Sequence, residues 1–185
     1  MFEVAVYPKD KSDFLYEEYI NFLAALSEHL LNEKICKKLL LMVHNDGAHS
    51  PKENDSKPIK ELYKKIHNKE NAIIIEEDLT PQMQCGIYGR SKLMIGTRLH
   101  SVIFALVGGA PSLAISYSHK SPGIMKMLGL EKYTIDIDQP NLEKAINLIG
   151  DIQENRESLL QKVNQKIELF RQVLKREIEE LIEGN

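Results

Sequence analysis

Arg98, His100 and Lys120 are residues whose types and spacing could hold an anion such as a carboxylate or phosphate. Arginine offers a planar, permanently charged fork that matches carboxylate or phosphate with two parallel hydrogen bonds. Histidine is a side chain that can titrate near neutral pH. Lysine is a compact point charge. Arg98 and His100 lie in Gly96-Thr97-Arg98-Leu99-His100, and Lys120 closes Ser116-Tyr117-Ser118-His119-Lys120. Taken singly they have a plainer reading, Arg98 in a surface ion pair and His100 as a helix cap, so the elements around them must decide.

Those elements read strand, turn, helix, strand. Residues 93–95 are an apolar run of strand type, ended by Gly96. From Ser101 to Leu106 the pattern is apolar and helical, Gly108 and Gly109 stop it, and Pro111 opens a second apolar run over 112–115. The polar turn thus follows the carboxyl end of one strand and precedes the amino end of a helix, where unpaired N–H groups and the helix dipole favour anions. Adjacent parallel strands deliver their following turns to one sheet edge. Arg98, His100 and Lys120 are therefore expected to converge on one pocket, although the first and last are 22 positions apart.

The ordered run resembles the polysaccharide pyruvyltransferase family. The resemblance rests on Gly96-Thr97-Arg98-Leu99-His100, the small-residue helix Ile103-Phe104-Ala105-Leu106, Gly109-Ala110-Pro111, Ile115-Ser116-Tyr117 and Lys120, with Gly123 and Leu128-Gly129-Leu130 behind them. It covers about forty residues. It implies a GT-B-type enzyme of two Rossmann-like halves, of which the whole chain, residues 1–185, is the carboxyl-terminal half. The signature falls in the fourth and fifth strand–helix units. The amino-terminal half, which helps form the acceptor site, is expected to be absent, either because this is an excerpt or because the protein is naturally split.

The resemblance also implies a reaction, the transfer of the enolpyruvyl unit of phosphoenolpyruvate onto two hydroxyls of a sugar, giving a pyruvate ketal and free phosphate. Arg98 is then the bidentate anion clamp, Lys120 the point charge on phosphate or carboxylate, and His100 a phosphate contact or the general acid. Gly96, Thr97, Leu99, Ser101, Ser116 and Tyr117 are the implied substrate-binding positions, with Lys9, His44 and His119 as further cleft residues. Two positions depart from the family pattern: Pro8 and Lys9 stand where an arginine is often found, and His119 sits beside Lys120 where other residues are usual. The implied partners are phosphoenolpyruvate, a sugar or lipid-linked saccharide acceptor, the missing amino-terminal domain and a second copy in a homo-oligomer. No metal and no organic cofactor is implied.

Composition bounds the alternatives. At 185 residues, 43% hydrophobic and 28% charged, the chain suits one globular domain with a real core. Its 24 basic and 27 acidic residues, net −3, argue against a nucleic-acid protein driven by phosphate neutralisation. Two cysteines, Cys36 and Cys85, form no C-x-x-C and read as buried free thiols of a reducing, cytoplasmic setting. A lipid-linked acceptor would bring the protein to the inner face of the membrane. Within residues 1–185 no signal-peptide pattern is visible, no apolar run approaches membrane-spanning length and no zinc-type spacing appears.

In chain order, residues 2–7 (FEVAVY) read as a strand, Pro8 to Lys11 as a turn, and Ser12 or Asp13 as the cap of a helix with an apolar stripe through Leu15, Tyr19, Phe22, Leu26 and Leu30. Residues 39–43 form a continuous apolar run, expected of a strand buried on both faces. A polar loop follows, then a helix capped by Ser56, a strand over 71–77, and a helix opened by Thr80 and Pro81. After Tyr117 come a helix from Ser121, an edge strand over 133–137, a helix around Ala145, and a long amphipathic helix within 151–183. His29 and His67 are expected at the surface of helices. The whole predicts an α/β fold, a Rossmann-like parallel sheet with helices on both faces. No G-x-G-x-x-G or G-x-x-x-x-G-K-[ST] occurs. Two other readings stand beside the pyruvyltransferase one. A GT-B nucleotide-sugar glycosyltransferase or epimerase half would carry an acidic pair after the strand-four turn, which is not seen. A non-catalytic module would dimerise through the long helix.

Overall fold

Strand and helix alternate through the computed structural model, which describes residues 9–44, 54–116 and 120–183. The elements are α1 (Lys9–Asn32), β1 (Leu39–Met42), α2 (Ser56–Lys65), β2 (Ala72–Ile75), α3 (Pro81–Gly89), β3 (Met94–Gly96), α4 (Leu99–Gly108), β4 (Ser112–Ser116), α5 (Lys120–Met127), β5 (Thr134–Asp136), α6 (Leu142–Glu154) and α7 (Arg156–Glu183). The strand expected over 2–7 lies outside the described residues, as do most of the polar loop before α2 and Tyr117, Ser118 and His119.

All described strands pair in parallel, β1 with β2 and, separately, β3 with β4 and β4 with β5. The fold is thus α/β and Rossmann-like, with parallel sheets, helices on both sides and a long terminal helix. The described strands form two sheets, where the sequence suggested one. β4 is the buried centre of the larger one, with Leu113, Ala114 and Ile115 wholly inaccessible. β5 is its edge, as the sequence suggested.

One helix ties the two sheets together. Along α1, Tyr19, Ile20, Phe22, Leu26 and Leu30 join the core around β4, while Ala24 and Leu31 join Leu41, Leu62, Ile66 and Ala72 under the smaller sheet. Burying a side chain of leucine or isoleucine size stabilises by about 1.5–3 kcal/mol, so this double engagement is a large part of what holds the halves in register.

Punctuation residues work as expected in most places. Thr80 caps α3 by accepting from the Met83 amide at 3.3 Å, with Pro81 as the first helical residue. Gly109 ends α4 at φ 94° and Gly129 follows α5 at φ 72°, left-handed conformations natural to glycine.

Five expectations are corrected. α1 starts at Lys9, so Lys9 to Lys11 belong to the helix and not to a turn; the proline before it has no N–H to lose at a helix start. Leu39–Met42 is not buried on both faces, because Leu40 is 46% exposed and its register partner Ile73 41% exposed, on a face that no described element covers. The residue before α2 is Asp55, and the Ser56 hydroxyl donates to Glu76 instead of capping. Cys36 and Cys85 are free but only half-buried. His67 lies just past α2, and its ring faces Glu28.

Candidate functional site

The tripeptide Met94–Gly96 ends against α4, and a small residue is required there. A Cβ on Gly96 would stand 2.7 Å from Val102 Cγ2 and 2.8 Å from Ser101 Oγ. The close fit lets the chain turn through Thr97 and Arg98 straight into α4 at Leu99. Arg98 is the residue before the helix, extended at φ −74° and ψ 127°, and its side chain does not cap. Its carbonyl accepts from the Ser101 hydroxyl at 2.7 Å and from the Val102 amide at 3.3 Å. Ser101 is therefore buried and serves the turn.

The Arg98 side chain runs across the sheet edge to Asp55. Nε and Nη2 donate to Asp55 Oδ1 at 3.0 and 2.8 Å, with the two side chains 18% and 13% exposed. Thr97 is held from beneath. Its Oγ1 lies 2.5 Å from the hydroxyl of Tyr19, a residue of the apolar stripe of α1. Burial pushes the Tyr19 phenol up to about 12, and the nearby Asp55 carboxylate acts in the same direction. The Thr97 hydrogen bond and Arg98 oppose it. Tyr19 is thus a neutral hydroxyl that fixes the turn.

His44 follows β1 and reaches the same place from the smaller sheet. Its Nδ1 is 3.1 Å from Tyr88 Oη, and the buried Gln84 of α3 donates to its carbonyl at 3.3 Å. Burial pulls the His44 imidazole below its ordinary range. His100 and Arg98 add to that, while Asp55 pulls the other way. His44 and His100 flank one ring, Phe104, with centroids 5.8 and 6.3 Å away. His100 is exposed on the first turn of α4. The Tyr88 phenol, like that of Tyr19, is pushed up to about 12 by burial.

Gly96, Thr97, Arg98, Leu99, His100 and Ser101 are therefore one turn, and His44 joins them. β4 lies directly beside β3, Gly96 level with Ala114, so the buried Ser116 ends one strand over. Lys120 opens α5 just beyond it, and Lys9 opens α1. Tyr117 and His119 lie outside the described residues. Asp55, Tyr19, Tyr88 and Phe104 are site residues that sequence reasoning missed. Tyr19 carried the one available signal, a hydroxyl inside an apolar stripe. Among the described residues no group of three His, Cys, Asp or Glu side chains could hold a metal ion. Among them, too, no helix is long and apolar enough to cross a membrane.

The arrangement offers a guanidinium, an imidazole and the amino end of a ten-residue helix at one sheet edge, backed by a second, half-buried imidazole. The basic groups of this turn stand beside the Asp55 carboxylate, which already holds the Arg98 guanidinium.

A family model described as polysaccharide pyruvyl transferase matches residues 2–119, which include the whole turn. The amylovoran biosynthesis protein AmsJ of Erwinia amylovora is 40% identical over 76 residues, which are 41% of this chain and 18% of that relative's length. No solved structure matches the chain significantly.

Proposed function

The chain belongs to the polysaccharide pyruvyl transferase family, and from that premise we propose that it binds phosphoenolpyruvate and takes part in moving the pyruvyl unit onto a sugar in exopolysaccharide or cell-surface glycan synthesis. The single observation that supports this best is the Gly96-to-His100 turn, seated between the end of β3 and the start of α4 with Arg98 oriented across the sheet edge.

The chemistry balances as follows. Two sugar hydroxyls add to C2 of the donor, forming two C–O bonds, and the bond from C2 to the phosphate oxygen breaks. One hydroxyl proton ends on C3, which becomes the methyl group, and the other leaves with phosphate. Arg98 clamps the carboxylate or phosphate with its fork, and Lys120 supplies a point charge from the neighbouring strand end. His100 contacts phosphate or protonates it as it departs. The first-turn amides of α4 share the negative charge. Gly96, Thr97, Leu99, Ser101, Ser116 and Tyr117 shape the pocket, and Lys9, His44 and His119 border it. On this reading residues 1–185 form one Rossmann-like domain, the carboxyl-terminal half of a GT-B-type enzyme. The acceptor, a sugar or lipid-linked saccharide, is held with the help of the other half, in the cytoplasm or at the inner face of the membrane.

The test is titration of phosphoenolpyruvate into parent chain, Arg98→Lys and His100→Ala. Loss of one charged hydrogen bond costs about 1.5–3 kcal/mol, so Arg98→Lys should weaken binding by roughly ten- to a hundredfold. An Arg98→Ala chain that binds the donor as tightly as the parent would remove the site assignment.

A further inference from the structure

α3 grips His44 at two points. The buried Gln84 donates from its side-chain amide to the His44 carbonyl at 3.3 Å. Tyr88, one turn further along the same helix, sets its hydroxyl 3.1 Å from His44 Nδ1. The His44 and Tyr88 ring centroids lie 6.0 Å apart, and Phe104 of α4 packs against the imidazole at 5.8 Å. These contacts fix the ring of a residue that stands just past the end of β1, outside helix and strand. Phe104 has His100 at 6.3 Å, so the His44 imidazole stands one ring away from the first turn of α4.

Hydrogen bonding then decides which nitrogen of His44 carries the proton. The Tyr88 phenol is neutral, because burial pushes it up to about 12, so its oxygen has a hydrogen to give. Tyr88 is 2% exposed, and among the described residues His44 Nδ1 is the one hydrogen-bond partner of its hydroxyl. A hydrogen turned away from that lone pair would leave a buried donor unpaired, which is costly. Nδ1 therefore accepts, and the single ring proton of neutral His44 is on Nε2. Among the described residues Nε2 makes no hydrogen bond of its own. The charged or titratable groups that face the ring are Asp55 before α2, Arg98 and His100 of the turn, and Tyr88 of α3. Burial is the largest influence and disfavours the imidazolium. His100 and Arg98 act in the same direction and Asp55 in the other.

We propose that His44 donates the Nε2–H of its neutral ring to an oxygen of the anion held at the Gly96-to-His100 turn, and that Tyr88 is the positioning residue that keeps the proton on that nitrogen. The inference rests on the anion reading of the turn and adds to it a hydrogen-bond donor delivered from the smaller sheet. The Arg98 fork is shared with Asp55. A neutral N–H carries no net charge for that carboxylate to compensate, so His44 orients the anion without being shared in this way.

Two measurements on the 185-residue chain test this. The first needs no ligand. Nitrogen-15 spectra of the histidine rings at about pH 8, where histidine is ordinarily neutral, should show His44 protonated on Nε2 and not on Nδ1. Tyr88→Phe, which keeps the ring, should mix the two forms. Parent His44 protonated on Nδ1 overturns the proposal, and an unmixed Tyr88→Phe overturns the role of Tyr88.

The second is titration with inorganic phosphate and then with phosphoenolpyruvate. Each should move the His44 Nε2 resonance together with the amides of Gly96 to His100. His44→Ala should weaken binding by roughly tenfold or more, and Tyr88→Phe by roughly two- to tenfold. His44→Gln, whose side-chain amide brings an N–H close to the place of Nε2, should lose clearly less than His44→Ala. Turn amides that move while His44 does not, or a His44→Ala chain that binds as tightly as the parent, overturn this proposal and leave the anion reading standing. Movement at neither place overturns both.

Discussion

Arg98 and Asp55, 43 positions apart, meet at a single oxygen, with both Nε and Nη2 of the guanidinium on Asp55 Oδ1. The pair sets the direction of the cation before any ligand arrives, and it leaves part of the guanidinium's charge already compensated. An anion at the turn must share Arg98 with Asp55. Each residue has further interactions, so single replacements overstate the pair. A double-mutant cycle with Asp55→Ala and Arg98→Ala in urea unfolding should give a coupling of about 1–3 kcal/mol, above an exposed pair and below a fully buried one. A coupling near zero would show that the contact orients nothing.

His44 predicts a pH dependence. Its folded pKa lies below the ordinary value of 6.5, chiefly through burial. The unfolded chain therefore binds more protons than the folded one in the window from about 6.5 down to the lowered value. Stability contributed by neutral His44 is complete above that window and is lost as pH falls through it. His44→Gln should flatten the stability profile there. If chemical denaturation at successive pH values gives parent and variant the same slope between 7 and 5, His44 is not the group responsible.

Tyr19→Phe removes only the hydroxyl that meets Thr97. Loss of one such hydrogen bond should cost about 1 kcal/mol, and the turn should loosen while the core does not. The discriminating readout is chemical shift, with changes confined to residues around 96–100 and none at Leu113 or Ile115.

Gly89 and Gly108 touch backbone to backbone. A Cβ on Gly89 would come 2.4 Å from the Gly108 carbonyl oxygen, and one on Gly108 would come 2.6 Å from Gly89 Cα. Since backbone cannot step aside as a side chain can, Gly89→Ala should cost at least the 1–3 kcal/mol of ordinary overpacking. Thermal unfolding measures it, and a Tm equal to the parent's would mean that α3 and α4 are not held where the structure puts them.

The outer half of α7 should behave in the opposite way. Leu174 and Ile178 are 58% and 54% exposed, whereas Leu159 and Val163 near its start are buried. Leu174→Gln and Ile178→Gln should each change unfolding free energy by no more than about 0.5 kcal/mol, and Val163→Ala should cost clearly more. Equal losses at the two ends would show that the whole helix is packed.

Much of this was legible in sequence because the informative residues act locally. The apolar run after Pro111 reads as a strand and is one, β4, with Leu113, Ala114 and Ile115 buried. The order of threonine then proline marks the start of α3, and the glycine-ended strand before Arg98 marks the turn. What failed depends on distant parts of the chain. Leu40 looks like core and is exposed, since its burial depends on whether anything covers the face it shares with Ile73. Asp55 looks like one more polar loop residue, since its meaning comes from Arg98. Phe104 reads as helix core, and only the fold reveals it between two histidines. The start of α1 was displaced because lysine and aspartate after a proline suit a turn and a helical first turn equally well.

The contact between Gly89 and Gly108 has a mechanical side as well. It clamps α4 at its last residue, while Arg98 and His100 sit at the other end, about 15 Å away along the axis. A helix held at one end is a lever, and a tilt of about 10° at the clamp would swing the first turn by roughly 2–3 Å. That is several times the error a binding geometry tolerates. Two residues without side chains, at the far end of α4 from Arg98, thus set the aim of the turn.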